Sequence, residues 1–201
     1  MSRTAPPLPL QGLQAGFRRF TVAEYHKLIE DGTLTEDDNL ELLEGYLVHK
    51  MARNPPHDGT LNRLTRQLAR WLPSNWQYRI QMAITLAESE PEPDAAVVRG
   101  SDRDFDVSHP TPADFGIVVE VSDSTLDADR RDKGRIYARA GIPEYWIVNL
   151  PDARIEVYTQ PQSADPTPAY ATRTDFAKAD AVPLTLDGRV VAHVPVADLL
   201  P

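Results

Sequence analysis

Two carboxylates and a lysine carry the strongest chemical signal in this chain. Asp94 follows Pro93 at the head of an apolar run, Asp94-Ala-Ala-Val-Val98. Glu120 interrupts a second run, Phe115-Gly-Ile-Val-Val-Glu-Val121. If the two runs are neighbouring antiparallel strands, the start of one adjoins the end of the other and the carboxylates crowd together. Crowded carboxylates need a proton or a cation between them. A hard divalent ion such as Mg²⁺ is bound by one or two carboxylates, water and phosphate oxygens. Read blandly, Asp94 is a turn residue and Glu120 a rim residue. The bland reading is harder to sustain for Glu120, because a buried unpaired carboxylate costs several kcal/mol.

Lys133 is the third candidate. Beside such a pair it can orient a water or stabilise charge developing on phosphorus. Its alternative is an ordinary surface ion pair with Asp129, four residues earlier on a helix. Arg131, Arg135 and Arg139 recur every four residues on the same helix. They form either a solvated face or a basic stripe for phosphate contact.

The elements that must position these groups follow from punctuation and periodicity. Pro6, Pro7 and Pro9 mark 1–19 as a flexible tail, leaving 20–201 as a single domain. Thr21, with Glu24 three residues on, predicts a capping box and a short helix over 22–30, ended by Asp31-Gly32. Glu44-Gly45 lies between two apolar runs and predicts a hairpin turn. Pro55-Pro56 breaks the chain. Leu61, Leu64, Leu68 and Leu72 then mark the buried face of a helix that Pro73 stops. Alternation through Tyr78, Ile80, Met82 and Ile84 predicts a strand over 77–86.

Strands are predicted at 94–98 and, buried on both faces, at 115–121. A helix spans 129–140, ended by Gly141 and Pro143. Glu144 to Asn149 is another central strand, with Trp146 in the core. Residues 154–158 form an outer hairpin strand, 160–169 a proline-rich loop, and the tail from Val182 offers short strands. Helices and strands in this order predict an α/β (α+β) chain around one mixed sheet.

Composition narrows the function classes. The 201 residues include 21 Lys+Arg and 30 Asp+Glu, a formal charge of −9. With 41% hydrophobic and 25% charged residues, the chain resembles ordinary globular proteins. A pI of 5.0 excludes a non-specific nucleic-acid coat held by charge alone. A local basic patch, or metal ions offsetting the carboxylates, would still allow action on nucleic acid. No apolar run approaches the length needed to span a bilayer, so no membrane partner is expected. With no cysteine, thiolate zinc sites and cysteine nucleophiles are excluded. The simplest compartment is the cytoplasm. No His-x-x-x-His pair, glycine-rich phosphate loop or Gly-x-Ser-x-Gly elbow is present.

Several segments together resemble the Uma-two family of endonucleases, within the restriction-endonuclease-like, PD-(D/E)XK superfamily. They are Pro93-Asp94, Glu120-Val-Ser-Asp-Ser-Thr125, Asp132-Lys133, Ala140-Gly-Ile-Pro-Glu-Tyr-Trp146 and Val196-Ala-Asp-Leu-Leu200. Leu40-Glu-Leu-Leu-Glu-Gly45, His57 and Gln81 fit the same pattern, and the resemblance covers about 20–200.

The resemblance implies a mixed sheet flanked by helices, with an N-terminal helix and hairpin extension. Asp94 and Glu120 would hold Mg²⁺, or Mn²⁺. The superfamily's lysine usually stands two residues after the Glu, where this chain has Ser122; Lys133 matches the family's relocated lysine. The implied activity is metal-dependent hydrolysis of phosphodiesters, with DNA the expected partner and a homodimer suited to cutting duplexes. Glu41, Glu44, His57, Gln81 and Ser122 are auxiliary candidates. Glu41 and Glu44 have opposite strand parity, so one of them faces the site. Two other classes stay open: a nuclease-like scaffold that only binds a partner, and a metal site acting on another substrate.

Overall fold

The computed structural model describes residues 18–101, 103–164 and 166–201. Apart from Arg18 and Arg19, the expected tail over 1–19 lies outside the described residues. The chain opens with helix α1 (Val22–Glu30), whose Thr21–Glu24 capping box forms as the spacing predicts. Strands β1 (Leu40–Leu43) and β2 (Tyr46–His49) make an antiparallel hairpin. Both turn residues, Glu44 and Gly45, have positive φ, the backbone that matches the strands' twist. A Cβ at Gly45 would also come within 2.5 Å of Arg19 Cβ, so glycine is required twice over.

Helix α2 (Pro55–Trp71) begins earlier than its prolines suggested. Pro55 and Pro56 form the first turn, where a missing N–H costs nothing, and Asn54 caps it. The expected strand over 77–86 is shorter: β3 is Trp76–Ile80. Gln81 takes φ 51°, and its N–H donates to the Asp94 carbonyl at 3.1 Å. The chain then folds back on itself, with Ile84 N–H on Pro91 O and Leu86 N–H on Ser89 O. Local alternation lost here to tertiary hydrogen bonds.

Strand β4 (Ala95–Arg99) and strand β5 (Phe115–Ser122) follow, and every residue of β5 is buried. The helix expected over 129–140 comes in three pieces. Helix α3 (Leu126–Ala128) leads into a π-helical turn, Asp129–Lys133, and then into α4 (Gly134–Arg139). Strand β6 (Glu144–Asn149) is wholly buried, with Trp146 at 0% exposure as expected of a core residue. Strands β7 (Arg154–Gln162) and β8 (Ala169–Ala177) extend into the stretch read as loop, leaving a shorter turn between them. Strands β9 (Ala181–Leu186) and β10 (Arg189–Pro195) close the chain as a separate hairpin.

The six-stranded sheet runs β3-β4-β5-β6-β7-β8. Only β5 and β6 are parallel, joined by the 126–139 helical crossover; the other pairs are antiparallel. Each face buries its own core. Leu61, Leu64 and Leu68 of α2 and the β9–β10 hairpin cover one face. Ile136 and Tyr137 of α4, with Leu43, Ile84 and Leu86, cover the other. Full burial of each large apolar side chain contributes about 1.5–3 kcal/mol. The architecture is therefore the mixed α+β sheet flanked by helices that the element order predicts.

Candidate active site

The β4–β5 register pairs Ala95 with Val119, so the next step places Asp94 beside Glu120, where β4 begins and β5 nears its end. Asp94 accepts a hydrogen bond at Oδ2 from the Val121 N–H at 2.8 Å, and its Oδ1 accepts from Gln81 Nε2 at 3.3 Å. The His57 ring, at the head of α2, brings Nε2 to 3.0 Å from Asp94 Oδ2. Burial pushes the Asp94 pKa up, but His57, Val121 and Gln81 prevail and hold it below the usual carboxylate value. Burial likewise opposes the charge on His57, and Asp94 and Asp58 outweigh it, raising the imidazole pKa.

Glu120 is the buried partner. The Tyr137 hydroxyl donates to its Oε1 at 2.7 Å, and Lys133 Nζ lies 3.2 Å from the same oxygen. Burial lifts the Glu120 pKa to about 8; Lys133 and Tyr137 pull it down, Asp129 and Asp94 push it further up. Lys133 also donates to Glu41 Oε2 at 3.1 Å. Burial disfavours the ammonium, yet Glu120, Glu41 and Asp129 overcome it and raise its pKa. Lys133 therefore stays protonated: it is a donor and a counter-charge, not a base.

These contacts correct two sequence readings. Asp129 and Lys133 are not a surface pair. Asp129 is 6% exposed and accepts hydrogen bonds from Ser122 and Thr125, both at 2.6 Å. Ser122, in the position the superfamily motif gives to lysine, serves to tie Asp129 to the end of β5. The arginines are not a free stripe either. Arg135 grips Glu44 through Nε and Nη2 at 3.1 and 2.7 Å, Arg139 reaches Glu44 at 2.7 Å, and Arg131 pairs with Asp132 at 2.8 Å. Glu44 therefore turns away from Asp94 and Glu120, whereas Glu41 faces them, as strand parity requires.

The site gathers Asp94, Glu120, Lys133, Glu41, His57 and Gln81 around a cavity of about 460 Å³. Sequence reasoning did not assign Asp129, Tyr137 or Arg53 to it. Asp129 and Tyr137 each stand four residues from Lys133, a spacing that signals a shared helix face but not which face is buried. Six carboxylates line the cavity against three Lys or Arg side chains. Such an acid-rich set fits a hard divalent cation. Asp94 and Glu120 would hold it, and Glu120, whose charge burial disfavours, has most to gain from it. Among the described residues no group of three or more histidine or acidic side chains is placed to hold a metal ion; Mg²⁺ typically needs only one or two carboxylates, keeping waters and phosphates as its other ligands.

A mixed sheet flanked by helices, with carboxylates gathered on two neighbouring central strands, defines the restriction-endonuclease-like class of fold. Residues 22–190 match the Uma2 family, described as “Putative restriction endonuclease”, and the chain belongs to that family. The fold is also that of a “putative nuclease” from Anabaena variabilis solved by crystallography, at TM-score 0.67 and 15% identity, covering 90% of this chain and 97% of that one. No curated protein matches. Among the described residues no helix is long and apolar enough to cross a membrane.

Proposed function

We propose that this protein is an endonuclease that hydrolyses phosphodiester bonds of DNA with Mg²⁺, or Mn²⁺, held by Asp94 and Glu120. The carrying observation is the Asp94–Glu120 pair on neighbouring strands β4 and β5 with Lys133 3.2 Å from Glu120. The ion would supply a lowered pKa for an attacking water and polarisation of the phosphoryl oxygen.

The chain's own groups do the rest. His57, Gln81 and the Val121 N–H fix the Asp94 carboxylate in place. Tyr137 orients Glu120 from below. Lys133, paired with Glu41 and Glu120 in the cavity wall, would offset negative charge passed through Glu120 as the phosphoryl group is attacked. Glu41 holds Lys133 and accepts from the Glu92 N–H at 3.1 Å, which anchors the hairpin to the site. Cutting both strands of a duplex calls for two such sites, which a homodimer would supply.

The test is thermal melting of wild type and of Asp94→Asn plus Glu120→Gln with and without Mg²⁺ or Mn²⁺, followed by cleavage of labelled DNA. Metal at a hundred times its Kd should stabilise wild type by about 2.7 kcal/mol. The double variant should lose both the shift and cleavage. A wild type that neither shifts nor cleaves would sink the reading.

A further inference from the structure

We propose that Arg53 binds a backbone phosphate of the substrate strand, with Gln81 as the residue that positions it; this rests on the nuclease reading above. The cavity walls are acid-rich, so a polyanion entering it needs a cation whose charge is unspent. Lys50 is paired with Glu92 at 2.7 Å, and Lys133 is held by Glu41 and Glu120. Among the described residues Arg53 has no such carboxylate. Its Nη1 donates instead to the amide oxygen of Gln81. A neutral amide orients a guanidinium without cancelling its charge, and leaves most of its five donors available for a phosphate.

The placement of Arg53 is built on both sides. It lies in the segment 50–54, exposed from Met51 to Asn54, that joins β2 to α2 and forms one wall of the cavity. At one end, the Lys50 N–H donates to Asn39 O at 2.8 Å. At the other, Asn54 caps α2 and donates to Asp123 Oδ2 at 2.5 Å, across the cavity mouth. Gln81 is held too, in left-handed backbone at φ 51°. A non-glycine residue in that region costs energy and persists where its surroundings enforce it. Here its amide spans two groups, with NH₂ toward Asp94 and oxygen toward Arg53. The guanidinium thus sits one amide away from the carboxylate proposed to hold the metal. A phosphate on Arg53 would register the neighbouring phosphodiester against Asp94 and Glu120.

The experiment compares wild type, Arg53→Ala, Arg53→Lys and Gln81→Ala on a fluorescein-labelled DNA duplex and its single strand in Mg²⁺ or Mn²⁺. It reads kcat and KM over a salt series, with melting as a check on folding. Arg53→Ala should raise KM about tenfold, leave kcat within about threefold, and flatten the log–log salt dependence by about one phosphate contact. Arg53→Lys should keep the salt slope and recover part of the KM. Gln81→Ala should raise KM with the slope retained. Wild-type KM and salt slope in a folded Arg53→Ala would overturn the assignment and leave the nuclease reading standing, as would a loss confined to kcat. A wild type that cleaves neither DNA would remove the nuclease reading, and this inference with it.

Discussion

Lys133 Nζ lies 3.2 Å from Glu120 Oε1 although the two residues occupy a helical segment and the strand before it. The π-helical turn Asp129–Lys133 separates two stretches of α-helix. It buries Asp129 against Ser122 while Lys133 reaches Glu120 and Glu41. A π-turn inserts an extra residue into a helix and is found frequently at functional sites.

Lys133→Met should abolish cleavage and also destabilise the fold. It strands Glu120, 5% exposed, and Glu41, 6% exposed, without their shared cation. Breaking a buried pair from one side costs about 3 kcal/mol or more. Urea unfolding of the variant would show this as a lower midpoint at unchanged slope. A variant as stable as wild type would mean that Lys133 is not the counter-ion of those carboxylates.

Glu120→Gln should behave differently. In the metal-free protein the raised pKa of Glu120 makes its ionised form a cost to folding. Replacing it with the neutral isostere should leave metal-free stability equal or higher at pH 8 to 9, while the shift with Mg²⁺ disappears. Melting curves with a chelator and with Mg²⁺ separate the two effects.

Glu144 sets a pH dependence outside the site. It is 7% exposed, and burial raises its pKa to about 7, against the pull of the Trp146 indole N–H at 2.5 Å. The folded state then binds a proton more tightly than the unfolded state. This contribution to stability is complete below the unfolded value of 4.5 and is lost as pH rises to about 7. The loss amounts to about 3 kcal/mol at most. Glu144→Gln should flatten this part of the stability–pH curve, measured by denaturant unfolding between pH 4.5 and 7.5. Glu120, shifted in the same direction, should leave a residual slope up to about pH 8.

Arg135 should matter for stability through Glu44. Burial pushes the Glu44 pKa up, and Arg135 and Arg139 overcome it and hold it low. Arg135→Ala removes the two-pronged partner of a carboxylate that is 6% exposed; because Arg139 stays paired with it, the cost should fall below the roughly 3 kcal/mol of a fully stranded buried charge. Adding Glu44→Gln should recover part of that loss. A double-mutant cycle read by urea unfolding checks the coupling, and strictly additive losses would exclude it.

Much of this arrangement was legible in the chain. The Thr21–Glu24 spacing, the Glu44-Gly45 turn and the leucine face of α2 are local signals, and each element forms where its signal lies. Asp94 and Glu120 were recognisable because one follows a proline at a strand head and the other breaks an apolar run. The strand predicted through Met82 was not so readable. Its alternation continues past Ile80, but left-handed backbone at Gln81 turns the chain out of the ladder and 84–91 fold back on themselves, a turn that no glycine or proline at 81 marks.

By itself, the amino-acid order determined which residue types could do chemistry and which stretches form helices and strands, because capping, periodicity and turn chemistry act over a few neighbours. Only the tertiary structure decided which charges meet. Lys133 faces Glu120 and Glu41 rather than Asp129 alone, Arg135 and Arg139 are spent on Glu44, and Arg53 keeps its charge. Helical spacing of four places residues on one face but does not say what covers that face. The β4–β5 register, the π-turn and the docking of the β1–β2 hairpin supply that, through contacts between residues far apart in the chain.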